Sequence, residues 1–124
     1  MIAYFCSDLL WSSRVTGTAR GCGIETAPAR TAQDLSLSEP DCQLRGLLVE
    51  LDGSSRPIEL IATVRKDEND SRLDSPLRIV AFGPHVDEEM LSRATEAGAD
   101  QVLTRGTVAK RLAEILTWLD EPAG

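Results

Sequence analysis

The sequence predicts an α/β fold in three layers, in which a parallel β-sheet is covered by helices on both faces. First, β-prone runs alternate regularly with amphipathic segments, and strict alternation requires crossover connections between parallel strands. Second, residues 47–51 form a nearly continuous apolar run between Gly46 and Gly53, which is typical of a strand buried on both faces. Third, a chain of 124 residues, of which 42% are hydrophobic, is large enough for a single domain, 1–124, with its own core.

The first two strand–helix units differ in strength. Residues 2–6 form a β-prone run, and the two polar residues after it are suitable N-caps for a helix that ends at Gly21. Residues 23–27 predict a weaker second strand. The segment 31–37 after that strand predicts only a short helix, because Pro40 stops it.

The third and fourth units are more regular. The third strand leads into an amphipathic helix from Pro57 to about Lys66, and the acidic stretch 67–71 after it predicts a solvated loop. Residues 79–82 predict a fourth strand. The helix that follows has acidic residues at its start, which suit the positive end of the helix dipole, and Gly98 as its C-cap.

The fifth unit completes the alternation. Residues 101–104 predict the last strand, and Gly106 predicts a turn before the last helix. That helix has an apolar stripe at helical spacing, formed by Val108, Leu112, Ile115, Leu116 and Leu119. The sequence therefore predicts five strands that alternate with about five helices.

Composition and charge argue against several classes of function. With 13 Lys+Arg and 20 Asp+Glu, the net charge at pH 7 is −7. The basic residues are scattered, whereas nucleic-acid binding needs a basic patch. The apolar runs are far shorter than the roughly 20 residues that cross a bilayer, and the N-terminus lacks the basic segment of a signal peptide. We therefore expect a cytoplasmic protein without nucleic-acid or membrane partners.

The cysteines and the histidine predict neither a disulfide framework nor a zinc site. Cys6, Cys22 and Cys42 are odd in number and form no CxxC pair, and His85 is the one histidine in the sequence. We expect the cysteines to be small buried thiols, with Cys42 the more exposed. We expect His85 to be a solvent-exposed or loop-capping residue rather than a ligand or base.

The segment 94–105, Ala-Thr-Glu-Ala-Gly-Ala-Asp-Gln-Val-Leu-Thr-Arg, strongly resembles the end of a response-regulator receiver domain. The likeness is most specific in Glu-Ala-Gly-Ala-Asp and moderate over 47–52, and elsewhere it depends on the order and length of the elements. It implies the flavodoxin-like, CheY-like fold, a parallel sheet of five strands in the order 2-1-3-4-5 with about five helices. It also implies a role in two-component signal transduction.

The residues that perform phosphoryl chemistry in receivers are altered in this sequence. The resemblance puts Cys6 and Ser7 where the family has a pair of Mg²⁺-binding acids, with Asp8 one position further on. Because Mg²⁺ needs several oxygen ligands at once, we expect no metal, and at most weak binding by Asp8, Glu50 and Asp52. The phosphoacceptor aspartate corresponds to Glu50, or to Asp52 if the register shifts by two. Residues two apart face the same side of a strand, so both alternatives stay open.

The remaining positions of the receiver site are altered as well. Phe82 and Gly83 replace the Ser or Thr after the fourth strand, so the hydroxyl is absent. The lysine after the fifth strand corresponds to Arg105, and the proline after it to Gly106. Arginine keeps the positive charge in a planar fork that can pair with the acceptor-position carboxylate. Helix caps and ordinary loop carboxylates with a partner are the alternative interpretation of the charged residues.

These changes predict a degenerate receiver, or pseudo-receiver, that has no catalytic residues and no cofactor and serves as a phosphorylation-independent protein-docking module. Its partner is expected to be a separate protein of a signalling pathway, with a homodimer as an alternative. The expected docking surface is the face formed by the last strand and the two helices beside it. Its candidate residues are Met90, Ala94, Val102, Thr104, Ala109, Lys110, Glu114 and Trp118. Core packing is the alternative role for Trp118.

Two other functions stay open. An atypical receiver would accept a phosphoryl group on Asp52, using Asp8 and a rearranged Mg²⁺ site. A small-molecule binding domain would use the crevice at the carboxyl ends of the strands, where parallel sheets place their sites. The glycines form neither a GxGxxG motif nor a P-loop, so nucleotide binding has little support.

Overall fold

A computed structural model describes residues 1–35, 43–68, 76–84 and 87–121, and within them the predicted parallel sheet is confirmed. Its five strands lie in the order β2-β1-β3-β4-β5. The strands are β1 (Ile2–Phe5), β2 (Thr26–Pro28), β3 (Gly46–Glu50), β4 (Arg78–Gly83) and β5 (Gln101–Thr104). The α-helices of the described residues are α1 (Leu9–Gly21), α2 (Arg56–Glu68), α3 (Glu88–Ala97) and α4 (Arg105–Asp120).

The second helix is where the structure differs from the expected five. In its place is a 3₁₀ helix, Ala32–Leu35, whose buried Leu35 packs in the core. The carboxylate of Asp34 accepts hydrogen bonds from the backbone N–H groups of Arg30 and Thr31, at 2.8 and 3.1 Å, and so closes this short turn. Residues 36–42, including Pro40 and Cys42, lie outside the described residues.

Alternation along the central strands divides the core into two layers. On one face, Leu47 and Val49 of β3 pack with residues of α2 and α3, including Leu60, Ile61, Val64, Met90 and Ala94. On the other face, Leu48 of β3 packs with α1 and α4 through Trp11, Val15, Ala19, Val108, Leu112 and Leu116. The sheet is thus covered on both sides, as its continuous apolar strands predict.

Helix α1 has two leucines that do not join this core. Its buried residues Trp11, Val15 and Ala19 follow one another at intervals of four and define the face that packs on the sheet. At 100° per residue, Leu9 and Leu10 point away from that face. They are 82% and 67% exposed. None of the helices in the described residues is long and apolar enough to span a membrane.

Helix α4 begins at Arg105, before the position of the predicted turn at Gly106. Thr104 is the N-cap, its hydroxyl accepts a hydrogen bond from the backbone N–H of Thr107 at 3.2 Å, and Gly106 lies in the first helical turn. The predicted turn at Gly106 is therefore wrong, because the cap of Thr104 starts the helix directly after β5. The helix is interrupted at Arg111, where φ is −121° and ψ is 25°.

The Glu-Ala-Gly-Ala-Asp segment forms a polar network at the amino end of the sheet. Asp100 accepts hydrogen bonds from the backbone N–H of Ile79, at 2.7 Å, and from Nη2 of Arg65, at 2.9 Å. Nε of Arg65 donates to the carbonyl of Gly98, at 2.8 Å. The backbone of Gly98 has φ 123°, which favours glycine, and a Cβ there would lie 2.6 Å from Cγ of Arg65. This motif is therefore structural.

Alanine substitutions at two glycines test the packing of Gly98 against Arg65. We expect Gly98→Ala to lower the free energy of unfolding by about 1–3 kcal/mol, because of its positive φ and the Arg65 side chain. Gly17→Ala is the matched control. It lies inside α1 with nothing within 4 Å of an added Cβ, so we expect it to raise the free energy of unfolding by about 0.5–1 kcal/mol. Urea denaturation of both variants measures the difference, and equal effects would contradict this account.

Candidate functional site at the carboxyl end of the sheet

The carboxylate of Glu50 lies at the centre of the candidate site. Glu50 ends β3 and is 1% exposed. Its Oε1 accepts hydrogen bonds from the backbone N–H groups of Ser7 and Asp8, at 3.0 and 3.3 Å, and from the Ser7 hydroxyl, at 3.4 Å. These donors belong to the loop between β1 and α1, next to the positive end of the α1 dipole. The loop therefore supplies the partners that a buried carboxylate requires.

Arg105 approaches the other oxygen of the same carboxylate. Nη2 of Arg105 lies 3.5 Å from Oε2 of Glu50. The Glu50 side chain is 2% exposed and the Arg105 side chain 46% exposed, so the pair is buried at one end and open to solvent at the other. Arg105 is the first residue of α4. One carboxylate thus connects the central strand to the starts of both α1 and α4.

The other two candidate carboxylates, those of Asp8 and Asp52, accept hydrogen bonds from residues close to them in sequence. Oδ1 of Asp8 accepts a hydrogen bond from the backbone N–H of Leu10, at 2.8 Å, and caps α1. Oδ1 of Asp52 accepts from the backbone N–H and the hydroxyl of Ser54, at 2.9 and 2.6 Å. Partial burial raises the pKa of Asp52, but the hydrogen bonds to its carboxylate, together with the charge of Arg56, outweigh burial and lower the pKa from its usual value of 3.8.

Glu50, and not Asp52, is therefore the carboxylate that meets Arg105 and the β1–α1 loop. The strand ends at Glu50, so the alternation that would bring residue 52 to the same face does not continue. Asp52 is exposed on the loop that leads to α2, where it lines one wall of a crevice that also includes Arg105.

Phe82 and Gly83 supply no hydroxyl at the end of β4. The Phe82 side chain is completely buried and packs against Trp11, with ring centroids 4.9 Å apart. A Cβ at Gly83 would lie 3.2 Å from Cβ of Leu51, which is tighter than ordinary van der Waals contact. Both positions therefore serve packing on the two faces of the sheet.

The crevice beside this cluster is small. It has a volume of about 160 Å³ and is lined by Leu51, Asp52, Gly53, Gly83, Pro84, Asp87, Met90, Leu91 and Arg105. Pockets that bind small molecules usually have about 300–1,000 Å³. The volume therefore does not favour the small-molecule alternative.

The donor set does not fit Mg²⁺. The ion needs near-octahedral oxygen coordination, with carboxylates free to bind it. Here the carboxylates of Asp8, Glu50 and Asp52 all accept N–H hydrogen bonds from the chain, and Arg105 brings a positive charge to Glu50. Among the described residues, no three His, Cys, Asp or Glu side chains are grouped as metal ligands.

Cys6 lies beside the cluster, directly before Ser7. It is half-buried, and burial together with the charges of Glu50 and Asp8 raises the pKa of its thiol from 9.0 to about 12. Cys22 is exposed, so the prediction that it is buried is wrong, because it follows the last turn of α1 outside the core. Cys42 and His85 lie outside the described residues.

Two residues of the predicted docking face belong to the core instead. Met90 and Ala94 are 8% and 0% exposed, because the apolar side of α3 packs on the sheet. They are therefore excluded from an exposed surface. The other candidates reach the surface in part or fully: Val102, Thr104, Ala109 and Trp118 are half-buried, and Lys110 and Glu114 are exposed.

A groove between β5 and α4 contains residues that the sequence analysis did not identify. Its volume is about 280 Å³, and Gln101, Leu103, Arg111 and Ile115 line it together with Val80, Glu114 and Trp118. The spacing of residues 111, 114, 115 and 118 places them on one side of a helix, and this spacing is visible in the sequence. The guanidinium of Arg78 lies over the ring of Trp118, 4.6 Å from its centroid, and orients one end of the groove.

Comparison with known proteins gives matches among solved structures. No protein-family model and no curated protein is significantly similar. The receiver domain of NtrX from Brucella abortus is 19% identical, with 99% of this chain and 100% of that chain covered and a TM-score of 0.73. The receiver domain of Ssk1, solved with the histidine phosphotransfer protein Ypd1 of Saccharomyces cerevisiae, is 16% identical, with coverage of 96% and 87% and a TM-score of 0.73. The beryllofluoride-activated DrrB receiver domain is 14% identical, with coverage of 95% and 94% and a TM-score of 0.67.

The chain has the receiver-domain fold. At these identities the likeness concerns the path of the backbone, and it confirms the fold that the segment 94–105 implied. The chemistry of the site follows from its own residues, of which the structure brings Ser7, Asp8, Glu50 and Arg105 together.

The position of Cys6 predicts a slow thiol. With a pKa of about 12 instead of 9.0, its thiolate fraction at pH 8 is about a thousandfold lower than that of an ordinary thiol. We expect iodoacetamide at pH 8 to label Cys22 well before Cys6 in the native protein, and both at similar rates in guanidinium chloride. Peptide mapping by mass spectrometry measures both sites. Equal native rates would contradict the environment described for Cys6.

The raised pKa of the Cys6 thiol also makes the free energy of unfolding fall at alkaline pH. Because the pKa of Cys6 is higher in the folded protein, its contribution is fully present below pH 9 and is lost as the pH rises from 9.0 towards about 12. We expect Cys6→Ala to remove part of the loss of stability in this alkaline window. Urea denaturation at pH 8 and pH 10.5 tests this, with Cys22→Ala as the control whose loss should match that of the unsubstituted protein.

Proposed function

We propose that this receiver domain is a non-catalytic, phosphorylation-independent docking module of a signalling pathway. The observation that supports it most is the buried carboxylate of Glu50, which occupies the end of β3 and takes its partners from the chain itself. A carboxylate in this environment is neither free to receive a phosphoryl group nor free to bind a cation. The site is thus closed by its own residues.

The other residues of the site support the same proposal. A receiver that exchanges phosphoryl groups needs a hydroxyl near the acceptor, and Gly83 has no side chain to supply one. Asp52, the alternative acceptor, is engaged by Ser54. A phosphorylated Asp52 would first have to break both hydrogen bonds without the help of a well-formed Mg²⁺ site.

We propose that the partner binds at the face of β5 and α4. The groove between them combines apolar surface from Leu103, Ile115 and Trp118 with the exposed ion pair of Arg111 and Glu114, whose Nη2 and Oε2 atoms are 3.0 Å apart. An apolar centre with a charged rim is typical of protein interfaces. Ala109 and Lys110 extend this face along α4. Val102, which packs with the core on the α3 side, and Thr104, which caps α4, lie beside it on β5.

The partner is proposed to be another protein in the same compartment, the cytoplasm. The structure of Ssk1 with Ypd1 is an example of a similar domain bound to a signalling protein. A net charge of −7 disfavours nucleic acid and also disfavours a second copy of this chain, because like charges repel. A homodimer is nevertheless the alternative that a sedimentation experiment on the protein alone would detect.

The proposal predicts that a phosphoryl mimic leaves the protein unchanged. Backbone amide NMR spectra would be recorded for the protein alone, with Mg²⁺, and with Mg²⁺ plus beryllofluoride. We expect the same spectrum in all three, because no carboxylate at the site is free for the mimic. The DrrB receiver domain, which has a beryllofluoride-activated structure, is the positive control.

If the spectrum changes when beryllofluoride is added, substitutions can identify the carboxylate that binds it. Shifts that begin near Asp52 and Arg105 and extend into α4 would overturn the proposal. If Asp52→Asn then abolished those shifts, the protein would be an atypical receiver with Asp52 as acceptor. If Glu50→Gln abolished them instead, Glu50 would be the residue that binds the mimic.

A further inference from the structure

Helix α4 consists of two parts that are attached to the protein differently. At Arg111 the backbone leaves helical geometry, with φ −121° and ψ 25°. Residues 112–119 after this break are attached through four buried apolar side chains, those of Leu112, Ile115, Leu116 and Leu119. Residues 105–110 before it have one buried side chain, that of Val108.

The short first part has few other attachments. The hydroxyl of Thr104 caps it locally, by accepting from the backbone N–H of Thr107. Among the described residues, one salt bridge joins residues 105–110 to a strand of the sheet, and it is the ion pair of Arg105 with Glu50. The second part has polar attachments of its own, since Arg45 donates to the carbonyl of Asp120 at 3.1 Å and Arg78 to that of Trp118 at 2.7 Å.

The Glu50 end of the ion pair is held in place by hydrogen bonds. Glu50 belongs to the central strand and is fixed by three donors from the β1–α1 loop, all on Oε1. This leaves Oε2 as the oxygen that meets Arg105. A change at Arg105 therefore releases α4 alone, whereas a change at Glu50 also affects the start of α1.

We propose that Glu50 and Arg105 form a latch that holds residues 105–110 against the sheet, with Arg111 as the hinge. Arg111 also lines the groove between β5 and α4. Loosening of residues 105–110, which Thr104 still joins to β5, changes the backbone angles of Arg111 and with them the position of its side chain in the groove. The latch thus connects the closed site to the proposed docking surface, an inference that rests on the proposed function of that groove.

Hydrogen exchange of backbone amides, measured by NMR, tests the latch. Arg105→Gln removes the positive charge from a side chain that is 46% exposed and keeps a polar group of similar shape. We expect exchange at residues 107–110 to become about 1.5-fold to fivefold faster, the range for losing an ion pair of this kind. We expect exchange at 112–119 to stay the same and the indole N–H resonance of Trp118, in the groove, to shift.

Arg45→Gln is the matched control, because Arg45 is an exposed arginine that contacts the opposite end of the same helix. We expect it to leave exchange at residues 107–110 unchanged. Glu50→Gln should accelerate the same amides as Arg105→Gln, and the double variant should add nothing further, because both changes break one pair. If Glu50→Gln does not fold, Arg105→Gln against Arg45→Gln decides the question.

Two results would overturn the latch. One is unchanged exchange at residues 107–110 in Arg105→Gln, and the other is an increase spread evenly over 107–119, which would exclude a hinge at Arg111. Neither result affects the proposed docking function, which the beryllofluoride experiment tests separately. A beryllofluoride response together with faster exchange in Arg105→Gln would instead overturn the proposed function and keep the latch.

Discussion

The burial of one carboxylate constrains the whole carboxyl end of this domain. Glu50 lies at the end of the central strand with 1% of its surface exposed, and an ionised carboxylate in such a place requires hydrogen bonds and an opposite charge. The β1–α1 loop provides the N–H groups of Ser7 and Asp8, and the first residue of α4 provides a guanidinium. The starts of two helices on the same face of the sheet are therefore positioned by one side chain. Removing the carboxylate would leave these donors without their partner, at the cost of their unrecovered desolvation.

The amino end of the sheet is organised by the same principle with the charges reversed. There the guanidinium of Arg65 is the central group, with Asp100, Glu68 and the carbonyls of Gly98 and Leu77 as its acceptors. Asp100 also accepts the backbone N–H of Ile79, so the loop before β5 is attached to β4. Among the described residues, every buried side-chain nitrogen or oxygen atom has a hydrogen-bond partner. The apolar layers stabilise the sheet, and these two polar clusters determine how the loops at its ends are placed.

The sequence predicts those features that depend on a repeating pattern and leaves open those that depend on where an element ends. The five strands and their parallel arrangement follow from alternation, and their order follows from the likeness of residues 94–105. The choice between Glu50 and Asp52 depends on the last residue of β3, which no periodicity marks. The prediction that Met90 and Ala94 belong to the docking face is wrong, because an apolar residue on a helix suits a core and an interface equally well. The sequence predicts a turn at Gly106 because the cap of Thr104 has no pattern beyond a single hydroxyl.

The Glu-Ala-Gly-Ala-Asp segment, residues 96–100, resembles receivers most specifically but carries the least information about the chemistry of the site. Gly98 is required by a positive φ and by the Arg65 side chain, and Asp100 by the N–H of Ile79, so both residues are explained by the fold. Residues that would reveal phosphoryl transfer lie at the opposite end of the sheet, and there the chain has Cys6, Gly83 and Arg105. A fold does not by itself determine function. In this protein, the amino-end network attaches the loop before β5 to the receiver-like backbone, while the carboxyl-end cluster holds an internal ion pair between Glu50 and Arg105.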